Sequence, residues 1–234
     1  MNIFTNNIFF GLFVSLIAFE VGLIIYRKTK LPLFNPLLIA IIIVVGFLKL
    51  FNIDFDTYNE SGKFINMFLG PATIVLAVPL YKQFELLKKN FLPILLGITI
   101  GSLVGILSII SISVFLKLDN LITISLLSKS VTTPIGIEIT NQLGGLAPVT
   151  VLAIILSGIV GAIVAPPVCK VFKITNPVAI GVGIGTSSHA VGTSKAFEMG
   201  ETEGAMSSLS IGIAGVITVF LAPLCYNLLA NFIK

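Results

Sequence analysis

Residues 181–212 of this chain read GVGIGTSSHAVGTSKAFEMGETEGAMSSLSIG, and their composition differs from that of the sequence around them. Most of the chain is isoleucine, leucine, valine and phenylalanine, whereas this stretch is rich in glycine, serine and threonine and holds the only histidine, His189. Inside a bilayer, polar side chains and non-helical backbone are tolerated where protein or water surrounds them. The stretch indicates either a functional site or a glycine- and serine-rich surface for helix packing, and its density of polar groups favours the site.

The composition is that of a membrane protein. Of the 234 residues, 56% are hydrophobic and 10% are charged, whereas about 25% are charged in soluble domains. The mean hydropathy is +1.10, and apolar runs of about 17–25 residues, enough to cross a bilayer as a helix, recur along the chain. We expect an all-α polytopic bundle with about six crossings, formed as one integral membrane domain over residues 1–234.

The charged loops predict the orientation of the chain. By the positive-inside rule, Arg27–Lys30, Lys82–Lys89 and Lys170–Lys173 are expected in the cytoplasm, and the acidic loop Asp54–Glu60 outside. The expected location is the inner (plasma) membrane. A net charge of +4 is accounted for by such short loops, so no nucleic-acid partner is expected.

Three apolar segments are interrupted by glycine, proline and hydroxyl residues, and we expect broken or re-entrant helices there. They are Gly70–Pro79, Thr132–Gly136 and Gly183–Gly192. Two parts of the chain, about 31–116 and 121–232, match weakly when the sequence is aligned with itself. By the positive-inside rule, the matching segments are expected to cross the membrane in opposite directions. This arrangement predicts an inverted-topology repeat.

A regular stripe of glycines, Gly97, Gly101 and Gly105, recurs at every fourth position of one apolar run. Small residues at this spacing allow another helix to approach closely. We expect this stripe to serve helix packing.

Two apparent motifs, one for dinucleotide binding and one for hydrolysis, lack residues that they require. The run Gly181-Val-Gly183-Ile-Gly185-Thr186 has threonine where a dinucleotide-binding fingerprint needs its third glycine, and no βαβ context surrounds it. The serines beside His189 are not in a GxSxG turn, which argues against a hydrolase. We therefore expect no catalytic residues and no enzyme activity. Neither a metal site nor a cofactor is indicated.

The polar groups suit reversible binding of a small anion. Hydroxyls, free backbone N–H groups and half-helix N-termini stabilise a carboxylate. The predicted substrate-binding residues are Thr132, Thr133, Pro134, Gly185, Thr186, Ser187, Ser188, His189, Gly192 and Thr193. The groups that can carry charge or a proton are His189, Lys129, Glu138 and Glu203. His189 is the first of these because its ordinary pKa lies near neutral pH. The structural alternative is a neutral imidazole that joins two helices by a hydrogen bond.

At these residues the sequence resembles the LrgB/CidB family. The resemblance lies in GPAT at 70–73, AVPLYK at 77–82, SLLSKSVTTPI at 125–135, GTSSHAVGT at 185–193 and EGAMSS at 203–208. It covers essentially the whole chain. One departure is Ser128, where a proline is expected in this family.

The resemblance implies two functions. One is transport of small monocarboxylates such as glycolate, glycerate or pyruvate, by alternating access with proton coupling. The other is antiholin-like regulation of murein hydrolase activity and lysis, together with a small LrgA/CidA-type membrane partner. A homo-oligomer is compatible with both. The residue chemistry favours transport, because a polar pocket at mid-membrane depth has no obvious purpose in a protein that only assembles in the bilayer.

Overall fold

A computed structural model describes residues 9–29, 34–68, 71, 74–75, 78 and 81–229. In these ranges the regular structure is helical and contains no strand, which confirms the predicted all-α class. The ten helices of the described ranges are α1 (Phe10–Thr29), α2 (Pro36–Leu50), α3 (Phe55–Met67), α4 (Phe84–Lys89), α5 (Phe91–Leu116), α6 (Asn120–Leu127), α7 (Thr133–Leu143), α8 (Ala147–Val171), α9 (Pro177–Met199) and α10 (Glu201–Leu229).

Four described helices, α1, α5, α8 and α10, are long and apolar enough to cross a membrane. The shortest of them has 20 residues, about 30 Å of helix and thus the thickness of the hydrocarbon core. Helix α2 is apolar but shorter. Helix α9 has 23 residues, and its glycines and hydroxyls lower its hydropathy. The chain is therefore a multi-pass membrane protein, and the sidedness of its basic loops stays a prediction.

The helices form two compact units, Met1–Val75 and Leu76–Lys234. The first contains α1 to α3, and the second contains α4 to α10 with all of the predicted site residues. The predicted interruption Gly70–Pro79 lies mostly outside the described residues. Whether the chain contains an inverted repeat therefore remains a prediction.

In the first unit, two glycines let neighbouring segments approach α1. The backbone N–H of Gly11 donates a hydrogen bond to the hydroxyl of Ser61 in α3. A Cβ added at Gly22 would lie 2.5 Å from the backbone oxygen of Pro36 at the start of α2. Side chains larger than glycine would separate these helices.

The second unit is arranged around α9, which packs against α5, α8 and α10. Helix α10 also contacts α5 and α7, while α8 contacts α6 and α7. A buried apolar cluster joins α5, α9 and α10. Its core consists of Ile94, Ile98, Val182, Ala205, Met206 and Ala214. The polar helix α9 thus has structural neighbours on three sides.

The glycine stripe of α5 lies against both polar regions of this unit. A Cβ added at Gly101 would come 3.0 Å from Cγ2 of Thr186 in α9, and one at Gly97 would come 3.5 Å from Val182. A Cβ at Gly105 would lie 4.0 Å from the hydroxyl of Ser130, between α6 and α7. The small residues of α5 therefore allow close approach of both interruptions.

Both interruptions within the second unit are present. The first is shifted from the predicted Thr132–Gly136, because helix α6 ends at Leu127 and α7 already begins at Thr133. Pro134 stands in the first turn of α7, where its missing N–H has no intrahelical partner to lose, so it starts a helix here. The second break lies within the predicted range Gly183–Gly192, at His189.

Candidate functional site

The break between α6 and α7 is held together by a chain of buried hydroxyls. Ser128 Oγ donates to the backbone oxygen of Gly136 at 3.1 Å and lies 3.3 Å from Thr140 Oγ1. Thr140 Oγ1 is 2.7 Å from Thr150 Oγ1 in α8, which in turn donates to the backbone oxygen of Ser125 at 2.8 Å. The hydroxyl side chains of Ser128, Thr140 and Thr150 are fully buried. The chain fixes α6, α7 and α8 to one another.

The sequence does not predict a structural role for Ser125, Thr140 and Thr150, because the segment around each does not show which hydroxyls it contacts. The separation between Ser125 and Thr150 in the chain hides their contact. Ser128 departs from the family pattern, in which a proline is expected. Its hydroxyl makes hydrogen bonds that proline could not make, so the break at this position is stabilised by side-chain bonding.

Beside these paired hydroxyls, the same break contains polar groups that could still form hydrogen bonds or ion pairs. Lys129 is partly buried, and its ammonium donates to the hydroxyl of Ser130 at 3.1 Å. Among the described residues it has no carboxylate partner. Thr132 and Thr133 are half-buried, and their hydroxyls make no hydrogen bond within the described ranges. Pro134 is exposed next to them. The break therefore offers a cation and two free hydroxyl donors.

The second interruption centres on His189, whose backbone has φ 39° and ψ −137°. Few residues other than glycine adopt a positive φ, so the kink is a strained point in α9. The imidazole is 4% exposed, and its Nε2 lies 2.9 Å from the backbone oxygen of Ile154 in α8. A Cβ added at Gly158 would come 2.6 Å from Cε1 of the ring. The histidine thus joins α8 to α9, as the structural alternative requires.

Thr193 lies on the opposite side of the kink, toward α10. Its Oγ1 donates to the backbone oxygen of His189 at 2.9 Å and lies 2.7 Å from the hydroxyl of Ser207. Gly185 also faces α10, since a Cβ added there would collide with the backbone of Ser207. These residues connect the broken helix to α10.

The other predicted residues of α9 point toward different neighbours. Thr186 is buried against α5, and Ser188 is buried against Gly161 of α8. Gly192 is buried one turn beyond Ser188, where an added Cβ would lie 2.5 Å from the Cβ of that serine. Ser187 is exposed and donates to a backbone oxygen of its own helix. The predicted α9 residues are therefore distributed around the helix.

The two interruptions adjoin across α8. Ile154 accepts the hydrogen bond of His189 through its backbone oxygen, and its Cδ1 lies 2.5 Å from the position of a Cβ added at Gly136 in α7. Lys129, Thr132 and Thr133 thus present accessible groups beside a histidine that is already bonded.

The two acidic candidates lie at different places. Glu138 is exposed on α7 and accepts a hydrogen bond of 3.1 Å from Gln142. Glu203 is half-buried in the first turn of α10. The described residues contain no cluster of three histidine, cysteine or acidic side chains that could hold a metal ion.

A cavity of about 260 Å³ lies between α8 and α9. Valine, alanine, isoleucine and glycine form most of its wall, and Ser187 is the predicted binding residue that lines it. The buried hydroxyls and the imidazole described above are engaged in contacts between helices. That the ten predicted substrate-binding residues line one pocket stays a prediction.

The sequence matches the model of the LrgB-like family over residues 15–228. It is also 37% identical over 221 residues to proteins named "Antiholin-like protein LrgB" from Bacillus cereus (strain B4264), Bacillus cereus (strain Q1) and Bacillus anthracis (strain A0248). These alignments cover 94% of this chain and 96% of each relative. No solved structure matches the chain. The family model and the relatives both span nearly the whole sequence, and the chain therefore belongs to the LrgB-like family.

Proposed function

We propose that this protein is an antiholin-like membrane protein that restrains murein hydrolase activity and lysis together with a small LrgA/CidA-type partner. The observation that carries the proposal is the 37% identity, over 94% of the chain, to proteins named antiholin-like. The alignment spans the membrane helices and both interruptions, so the similarity extends over the whole described fold.

The packing of the second unit supports this proposal. Two pairs of its buried hydroxyls, Thr140 with Thr150 and Thr193 with Ser207, bond to one another across helices. Paired hydroxyls in a membrane interior strengthen helix association. Gly97 and Gly101 of α5 let Val182 and Thr186 of α9 approach closely, so the glycine stripe serves helix association within this unit.

Autolysis of bacterial cells tests the proposal. A host that lacks its own LrgA- and LrgB-type proteins produces this chain, an LrgA-type partner, both or neither. We expect detergent-induced lysis to slow, and murein hydrolase bands on a zymogram to weaken, when both proteins are present. Immunoblots of isolated membranes control for production of each protein. Unchanged lysis with both proteins in the membrane would contradict the proposal.

A second candidate function, transport of a small monocarboxylate, is favoured by one observation. Lys129 is partly buried and has no carboxylate partner among the described residues, and the hydroxyls of Thr132 and Thr133 beside it are free. A cation at membrane depth is expensive unless a counter-charge accompanies it. The carboxylate of glycolate, glycerate or pyruvate would supply that charge, and the N-terminus of α7 would add a favourable dipole.

Uptake into proteoliposomes tests this second function. The purified protein is reconstituted, and entry of labelled pyruvate, glycolate and glycerate is compared with entry into empty vesicles. We expect Lys129→Gln to weaken uptake at least roughly tenfold, because a hydrogen bond to a charged group is lost. Lys117→Gln changes an exposed lysine at the end of α5 and serves as the control. Absence of uptake by the parent protein would remove this candidate and leave the antiholin-like proposal standing.

A further inference from the structure

The cavity between α8 and α9 is a groove, and its apolar wall suits a lipid better than a polar substrate. Val164 and Val168 are exposed at its wall on α8, and Ala179 and Gly183 are exposed on α9. Its hydroxyl, from Ser187, already donates to the backbone oxygen of Gly183. An apolar surface at membrane depth with no unsatisfied polar group attracts neither water nor a small ion.

The length of the groove corresponds to one leaflet of a bilayer. Its wall runs from Gly161 to Cys169 on α8 and from Ala179 to Ser187 on α9. Eight helical residues rise about 12 Å, and half of the hydrocarbon core is about 15 Å thick. One acyl chain from a single leaflet fits such a groove along its length.

Positive charge lies at one end of the groove. Lys170 follows the lining residue Cys169, and Lys173 precedes the lining residue Ile174. Both lysines are exposed, and neither forms an ion pair among the described residues. The sequence contains no acidic residue between Glu138 and Glu198, so this part of the chain has no acid of its own to pair with them.

We propose that the α8–α9 groove binds an anionic phospholipid, with one acyl chain along the groove and the phosphate between Lys170 and Lys173. The groove supplies apolar contact, and the two ammonium groups distinguish a net negative headgroup from a zwitterionic one. The site is independent of whether the protein restrains lysis or carries a carboxylate.

Native mass spectrometry of the detergent-solubilised full chain tests the headgroup. Equal amounts of dioleoyl phosphatidylglycerol and dioleoyl phosphatidylcholine are offered, and we expect the phosphatidylglycerol adduct to dominate several-fold. The double variant Lys170→Gln/Lys173→Gln is expected to bring the ratio of the two adducts close to one. Lys88→Gln/Lys89→Gln, which changes two exposed lysines of α4, should keep the parent ratio. Equal binding by the parent, or an unchanged ratio in the Lys170/Lys173 variant, would overturn the proposal.

A matched pair of glycine variants tests the groove. A Cβ added at Gly183 or at Gly212 meets no atom within 4 Å, and both positions are exposed, but Gly183 lines the groove and Gly212 lies on α10. We expect Gly183→Leu to reduce retained phosphatidylglycerol several-fold and Gly212→Leu to retain it. Equal retention by the two variants would contradict a lipid in this groove. So would a dimer of the parent that only Gly183→Leu dissociates while lipid binding is unchanged, because a second copy would then cover the groove.

A measurement on the parent protein tests the proposal independently of these variants. Cys169 lines the groove and is partly exposed, whereas Cys225 is 6% exposed in α10. We expect phosphatidylglycerol to slow the modification of Cys169 by a maleimide several-fold relative to phosphatidylcholine, as followed by peptide mass. Equal rates in the two lipids would refute the proposal even if every variant failed to fold.

Discussion

The imidazole Nε2 of His189 lies 2.9 Å from the backbone oxygen of Ile154, so the residue at the kink of α9 is bonded to the N-terminal third of α8. Since a carbonyl oxygen can only accept a hydrogen bond, Nε2 is the donor. The bond supports a backbone conformation, φ 39° and ψ −137°, that is otherwise unfavourable for histidine. The side chain of His189 thus stabilises the kink at its own position through this hydrogen bond.

Loss of this donor should destabilise the protein. We expect His189→Leu to lower the free energy of unfolding by about 1–3 kcal/mol, because the Ile154 oxygen is left buried without its partner. His189→Gln, which keeps an N–H donor of similar reach, should lose less. Thermal unfolding of both purified variants in the same detergent measures the difference. A His189→Leu variant as stable as the parent would show that the hydrogen bond contributes little.

The space for the ring depends on Gly158. A Cβ added there would lie 2.6 Å from Cε1 of His189 and 3.1 Å from Cβ of Val191. We expect Gly158→Ala to destabilise the protein and to separate α8 from α9. Gly212→Ala is the control, since its Cβ would meet open space and alanine favours a helix by roughly 1 kcal/mol over glycine. Melting temperatures that change equally in the two variants would contradict the close packing at Gly158.

Much of the architecture is visible in the sequence, because its signals are local. The apolar runs predict the long helices, and the polar cluster around His189 marks the kink. Near Thr132 the break is shifted, since Pro134 starts α7 instead of ending a helix. The contacts of each side chain with other helices cannot be predicted from the local sequence. Successive helical residues point about 100° apart, so Thr186 faces α5 while Ser188 faces α8.

If the protein carries a carboxylate, the pH dependence of uptake should survive in His189→Gln. The reason is geometric: the histidine is 4% exposed and its Nε2 hydrogen is engaged by Ile154. Proton exchange at Nε2 would require the contact between α8 and α9 to open. Initial uptake rates between pH 5.5 and pH 8 in proteoliposomes, at equal reconstituted protein, measure the two profiles. A profile that becomes flat in the variant would instead identify His189 as the proton carrier. An unchanged profile makes Glu138 and Glu203 the next residues to substitute.

The chain of hydroxyls at the first interruption can be tested by one substitution. Thr140 is its middle member, and valine has nearly the same shape as threonine but no hydroxyl. Thr140 is fully buried, and its Oγ1 lies between Ser128 at 3.3 Å and Thr150 at 2.7 Å. Thr140→Val leaves two buried hydroxyls each short of one partner, and we expect a loss of about 1–3 kcal/mol in the free energy of unfolding.

The matched control for this substitution is Thr99→Val on α5. Thr99 is half-buried, and its hydroxyl donates at 2.8 Å to Leu95, an oxygen of its own helix. Removal of this local bond leaves the contacts between helices intact, so we expect nearly parental stability. Thermal unfolding in detergent compares the two variants, and limited proteolysis reports whether the segment between α6 and α7 opens. If Thr140→Val and Thr99→Val unfold alike and are cleaved alike, the hydroxyl chain does not hold α6, α7 and α8 together. The break would then be held chiefly by apolar packing, such as that of Gly136 against Ile154.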